Sequence, residues 1–164
     1  MRLFLAREIL DAHLQKIEPF LKKQKKTQNI LESLKFYTTW YPKQWVYRNA
    51  WTEFKNSGEL HKQFIYISKN SHKLARTLFH LMVKYKQNLE NEQIILAHIV
   101  DIGTELFAMA ATASYALIIE EKQIYNGSSI QLAKHFCIEA KSRIRQHFIA
   151  IKDKDESHKK CTES

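Results

Sequence analysis

Apolar residues recur at alternating steps of three and four along most of this chain. Between residues 60 and 89 they fall at Phe64, Ile67, Leu74, Leu78, Leu81, Tyr85 and Leu89, with Ser71 filling one step. That spacing predicts a helix that turns one face to its neighbours in a bundle. A break at Asn88 to Asn91 leads into a second long helix from Glu92 to about Lys122, closed by Asn126, Gly127 and Ser128. Ser128 or Ser129 is placed to N-cap a last helix running to about Ile151. Its apolar face holds Leu132, Ala133, Phe136, Ala140, Ile144, Phe148 and Ile151. At the other end, Leu3, Leu5, Ile9, Leu10, Leu14 and Ile17 predict an N-terminal helix that Pro19 ends or restarts. Asn56, Ser57 and Gly58 form the clearest stop signal.

The expected fold class is therefore all-α, an up-and-down antiparallel bundle of four to five helices joined by short loops. Composition agrees: 3 Gly and 2 Pro in 164 residues are too few for the turns of a strand protein. The expected organisation is a helix over 1–18, a Lys-rich linker or helix over 19–35, the bundle over 36–152 and a disordered tail over 153–164.

The second long helix is expected to be buried. Its run of Ala108, Ala110, Ala111, Ala113 and Ala116 lets another helix approach closely. Gly103 inside it costs up to about 1 kcal/mol against Ala, so close packing is expected there too. Its longest charge-free run, Leu106 to Ile119, falls short of the roughly 20 apolar residues of a membrane span.

Asp101 and Glu105 interrupt this apolar body four residues apart, hence on one side of the helix. A general acid/base pair, half of a dinuclear metal site and a structural ion pair compete as readings. A bundle di-iron site uses Glu-x-x-His on two helices, and no Glu here has a His three residues later. The structural reading has a counterpart in Arg76 on the preceding antiparallel helix. Arg76 is expected to pair with Asp101, Glu105 or both, specifying register more than adding stability. The eight histidines form neither HExxH nor a Cys/His cluster with ligand spacing. No catalytic, cofactor-binding or metal residue is expected.

The net charge of +9 admits anionic partners without choosing among them. The run Lys22, Lys23, Lys25 and Lys26 precedes eight aromatics between Phe36 and Phe54, among them Trp40, Trp45 and Trp51. Rings that fill the bundle core and its rim are the plainest explanation. A membrane-surface contact comes second, and single-stranded nucleic acid third. Cys137 and Cys161 form no CxxC and no zinc framework, so a reduced, cytoplasmic chain is expected. Peripheral contact at the inner face of the membrane is a further expectation.

Several phrases in order carry a resemblance. Lys73, Leu74, Ala75, Arg76 and Phe79 form "KLAR-x-x-F", followed by HIVDIGTELFAMAATASYA from His98 to Ala116. Upstream stand Arg2, Leu3, Phe4, Ala6, Arg7 and Glu8, and "FY-x-x-WYP-x-QW" from Phe36 to Trp45; downstream is "LA-x-x-FC-x-x-A-x-x-R" from Leu132 to Arg143. Together they resemble the C-terminal helical region of the large, very-long-chain type of acyl-CoA dehydrogenase. The resemblance equates residues 1–18 with the end of that family's catalytic domain, just after its "EGT-x-E-I" turn, whose Glu is the base in many members. It implies FAD in the intact family and none in this chain. It further implies a domain inactive alone that serves assembly, and in the family membrane association, of a flavin-containing catalytic part. A split or truncated product, or a subunit docking on a separate catalytic half, is the expectation that follows. The stripe of the N-terminal helix would then seek that partner or a second copy. The alternative is a basic helical module for a membrane surface or nucleic acid.

Overall fold

The computed structural model describes residues 57–122 and 128–162, with side-chain detail except at Lys86, Gln87 and positions 158–162. The N-terminal helix, the Lys run, the tryptophan cluster and the Asn126–Gly127 turn lie outside the described residues. Three helices make up nearly all of the rest: α1 (His61–Tyr85), α2 (Gln93–Glu121) and α3 (Ser128–Thr162). There is no strand among the described residues, so the all-α expectation is borne out.

Local chemistry sets the helix boundaries. Gly58 has φ +51, a left-handed conformation that glycine adopts at no steric cost. It opens a short 3-10 turn, Gly58–Leu60, in which the Leu60 amide bonds Ser57 O at 3.1 Å. Lys86–Asn91 forms a second 3-10 turn between α1 and α2. The Glu92 amide closes it on Leu89 O at 3.0 Å, and Glu92 O accepts the Leu96 amide at 3.0 Å as α2 begins.

The described residues fall into two compact units. One holds residues 72–100, and the other 57–71 with 101–122 and 128–162. In the first, Leu78, Leu81, Met82, Leu89, Ile95, Leu96, Ile99 and Val100 are buried. In the second, Leu60 and Phe64 near the start of α1 meet Ala113 and Ala116 near the end of α2, with Ile130 and Ala133 at the start of α3. Ile67 and Leu117 pack against this core. Within this unit α2 therefore runs antiparallel to both other helices, and α1 and α3 run parallel. The two alanines are what let the helices close there, since small side chains shorten the interaxial distance.

The buried residues of α2 are Ile95, Ile99, Ile102, Leu106, Met109, Ala113 and Ala116, together with Leu96 and Val100. Steps of four and three repeat without a fault through the first seven, the seam of a coiled-coil-like helix. On α3 the corresponding seam is Ile130, Ala133, Cys137, Ala140, Ile144 and Ile151.

Several expectations need correction. Leu132, assigned to the buried face of α3, is 71% exposed, and Cys137 occupies the seam instead. Position 137 continues the three–four alternation from Ala133 to Ala140, whereas position 132 lies off it. Ser71 is exposed on α1, where its hydroxyl side chain gains nothing from burial. The segment 153–162, expected as a disordered tail, continues α3 to Thr162. No Pro or Gly interrupts it, the Lys152–Glu156 pair spans one turn at 3.5 Å, and Ser157 Oγ bonds back to Asp153 O at 2.8 Å. Ser128 is the first helical residue of α3 rather than its cap. Finally, α2 is by length and composition long and apolar enough to cross a membrane, its most apolar stretch of 18 residues having a mean hydropathy of 1.7.

Candidate docking surface

Three cations of α3 reach its neighbours within the second unit. Lys134 pairs with Glu59, Lys141 donates to Gln63 Oε1, and Arg143 pairs with Glu105 of α2. All three flank the α3 seam. Long stems there lie along apolar surface while their charged heads reach the edge of the groove.

The Arg143–Glu105 pair is the best formed. Arg143 Nε donates to Oε1 at 2.7 Å and Nη2 to Oε2 at 3.0 Å. This two-point geometry is the strong form of a guanidinium–carboxylate contact. The hydrogen bond to Glu105 raises the already high Arg143 pKa, so the guanidinium stays charged. Its carbon also lies 5.9 Å from the Phe136 ring centroid, within reach of a cation–π attraction. In the sequence Arg143 stands out only as the end of the Leu132-to-Arg143 phrase. Its position beside the seam residue Ile144 is the signal that could have marked it as a groove residue.

Lys141 is held differently. Its Nζ sits 4.8 Å from the Tyr66 ring centroid. Burial lowers the Lys141 pKa and raises that of Tyr66. Nearby Cys137 is fully buried, and burial pushes its thiol up. A thiol held protonated is a poor nucleophile, so Cys137 acts as a packing group.

Asp101 is half-buried and brings a carboxylate oxygen within 4.8 Å of a ring nitrogen of His147. His147 lies where the α3 seam passes from Ile144 to Ile151. Within this unit, Glu105 of α2 thus has its ion-pair partner on α3. Arg76 belongs to the first unit and Asp101 and Glu105 to the second; the pairing expected from sequence is a proposal for mutagenesis.

The outer side of α2 contrasts with its seam. Phe107, Tyr115 and Ile118 are 76%, 65% and 47% exposed. Ala111 and Ser114 between them are exposed as well. These positions also follow helical spacing, so they form one apolar stripe. On α3, Leu132, Ile138 and Ile149 are exposed. A cleft of about 280 Å³ is lined by Ser57, Gly58, Glu59, Leu117, Glu120, Ile130 and Gln131.

Comparison with known proteins places this architecture. The model of the family described as ACAD9/ACADV, C-terminal domain, matches residues 58–163. The chain belongs to this family. The match spans α1, α2 and α3, and it bears out the resemblance drawn from the motif phrases. Curated relatives agree. The probable acyl-CoA dehydrogenase FadE10 of Mycobacterium bovis is 33% identical over 163 residues, covering 92% of this chain and 24% of the relative. The proteins of that name from Mycobacterium tuberculosis, strains CDC 1551 and H37Rv, match to the same extent. This member of the family therefore spans about a quarter of the length of the relatives it matches. No solved structure matches it significantly. Its role is related to acyl-CoA dehydrogenases.

Proposed function

We propose that this chain is a non-catalytic C-terminal domain of an acyl-CoA dehydrogenase, serving assembly of a flavin-containing catalytic part in fatty-acid β-oxidation. The observation that carries the reading is the family match over residues 58–163, laid over helices that turn their polar groups to one another. The best hydrogen-bonded charges, Arg143 and Glu105, are spent on each other.

The intact family implies FAD. A dinucleotide brings a pyrophosphate, which needs cations or a helix N-terminus free of negative charge. The cleft beside Gly58 presents Glu59 and Glu120 instead, so its residues do not fit that group. The FAD of this proposal belongs to the catalytic part.

Mixing the purified chain with a separately made flavin-containing part of a FadE10-type relative tests the proposal. The two are expected to co-elute, and the chain alone is expected to show no flavin absorbance. Near-stoichiometric flavin in the isolated chain, or oxidation of an acyl-CoA by it with nothing added, would overturn the reading.

Peripheral membrane contact from the cytoplasmic side is the second part of the proposal. It rests on Lys22, Lys23, Lys25 and Lys26 with Trp40, Trp45 and Trp51. Flotation with anionic and neutral vesicles tests it, and recovery in neither fraction removes it.

A further inference from the structure

We infer that the exposed stripe of α2, centred on Phe107 and running through Ala111, Ser114 and Tyr115 to Ile118, is the face that docks on the flavin-containing part. The inference rests on the proposed function and assigns it a surface.

The stripe lies opposite a complete seam. Ile102, Leu106, Met109, Ala113 and Ala116 already bury one side of α2. The packing among the described residues therefore does not account for a phenylalanine that is 76% exposed and a tyrosine that is 65% exposed on the other side. Large rings flanking small residues favour a helix-sized ridge as occupant. Ala111 and Ser114 let a backbone approach, while Phe107 and Tyr115 close over it.

Charge selects among occupants. Glu105 is paired with Arg143, which leaves the exposed Glu120 and Glu121 as the charges at the end of the stripe, and the helix from Gln93 to Glu121 carries no Lys or Arg, although the whole chain is +9. An anionic bilayer attracts basic segments and repels acidic ones, so it is a poor match for this helix. A second copy of the chain would set one acid-only helix against another. A larger protein surface with an apolar ridge and a basic rim satisfies this constraint. In relatives about four times as long, the remainder of the polypeptide is the source of such a surface.

The test uses the full chain and the flavin-containing part of a FadE10-type relative, with affinity read by biolayer interferometry. Phe107→Asp is expected to weaken binding by about tenfold or more. Phe107→Leu is expected to restore most of it, and Ile138→Asp on α3 to leave it unchanged. Circular dichroism of each variant reports that the helices are retained, which is expected because Phe107 is exposed. If the unmodified chain does not bind the flavin-containing part, the proposed function fails, and this inference with it. Wild-type binding that Phe107→Asp leaves intact overturns the inference alone. So does loss, in that variant, of a chain dimer or of vesicle binding while partner affinity is unchanged.

Discussion

Arg143 of α3 grips Glu105 of α2 with two nitrogens, at 2.7 and 3.0 Å, one to each carboxylate oxygen. Glu105 is 21% exposed and Arg143 40%. The pair therefore lies between a surface salt bridge, which contributes little, and a buried one, whose loss is costly. Replacing either residue with Ala is expected to destabilise the fold by about 1–2 kcal/mol. A double-mutant cycle by denaturant unfolding should give a coupling of about 1 kcal/mol. Arg143→Lys should not restore it, because an ammonium cannot make both contacts in the plane of the carboxylate. A coupling near zero would show that the geometry adds no stability.

The alanines of the seam set a second prediction. Ala113 is fully buried among Leu60, Phe64, Ala116, Ile130 and Ala133. Ala113→Leu should destabilise by about 1–3 kcal/mol through overpacking. Ala111→Leu, on the exposed face, should stay within about 0.5 kcal/mol of wild type. At Met109, also fully buried, Ala should cost about 2–5 kcal/mol by leaving a cavity. Melting temperatures of the three variants check the rotation of α2; equal effects at 111 and 113 would contradict it.

Reactivity of Cys137 gives a third. Its raised pKa and complete burial predict slow modification by a thiol reagent at neutral pH in the folded chain, and fast modification in denaturant. Mass spectrometry of peptides after short labelling locates the adduct. Rapid native labelling at Cys137 would mean that the α3 seam opens readily.

His72 supplies the pH dependence. Burial, and then the Arg76 charge, lower its pKa in the folded state from 6.5. Between the two values the unfolded chain binds more protons, so stability rises with pH across that window. Stability should decline as pH falls through about 6.5 and level off once the folded state protonates as well. His72→Gln should flatten this part of the curve. Unfolding midpoints from about pH 7 to pH 5 test it, and an unchanged slope in the variant would assign the dependence to other groups.

The apolar composition of α2 marks it as a helix with a buried face, but its alanine run does not say which face: Ala113 and Ala116 are buried, whereas Ala111 is exposed. The same holds on α3. Leu132 and Ala133 are adjacent, and hydrophobicity favours the leucine, but the seam runs through Ala133 and leaves Leu132 exposed. The alanine is covered because position 133, and not 132, continues the three–four alternation of the seam and packs with Leu60 and Phe64. The continuation of α3 past Ile151 is hidden in a polar composition that reads as a tail, whereas Lys152 and Glu156 support a solvated helix.

Helix content and the family phrases could both be read from the order of residues, since each depends on neighbours within a few turns. The partner of Glu105 could not. Arg143 lies 38 positions away, and several cations on α3 are spaced to reach a groove. Choosing among them requires the rotation of α3 about its own axis, which is set by how Cys137, Ala140 and Ile144 fill the core. The exposed stripe at Phe107 was hidden for the same reason. Along the chain it looks as apolar as the seam, and only the packing of three helices separates the side that is covered from the side that is left open.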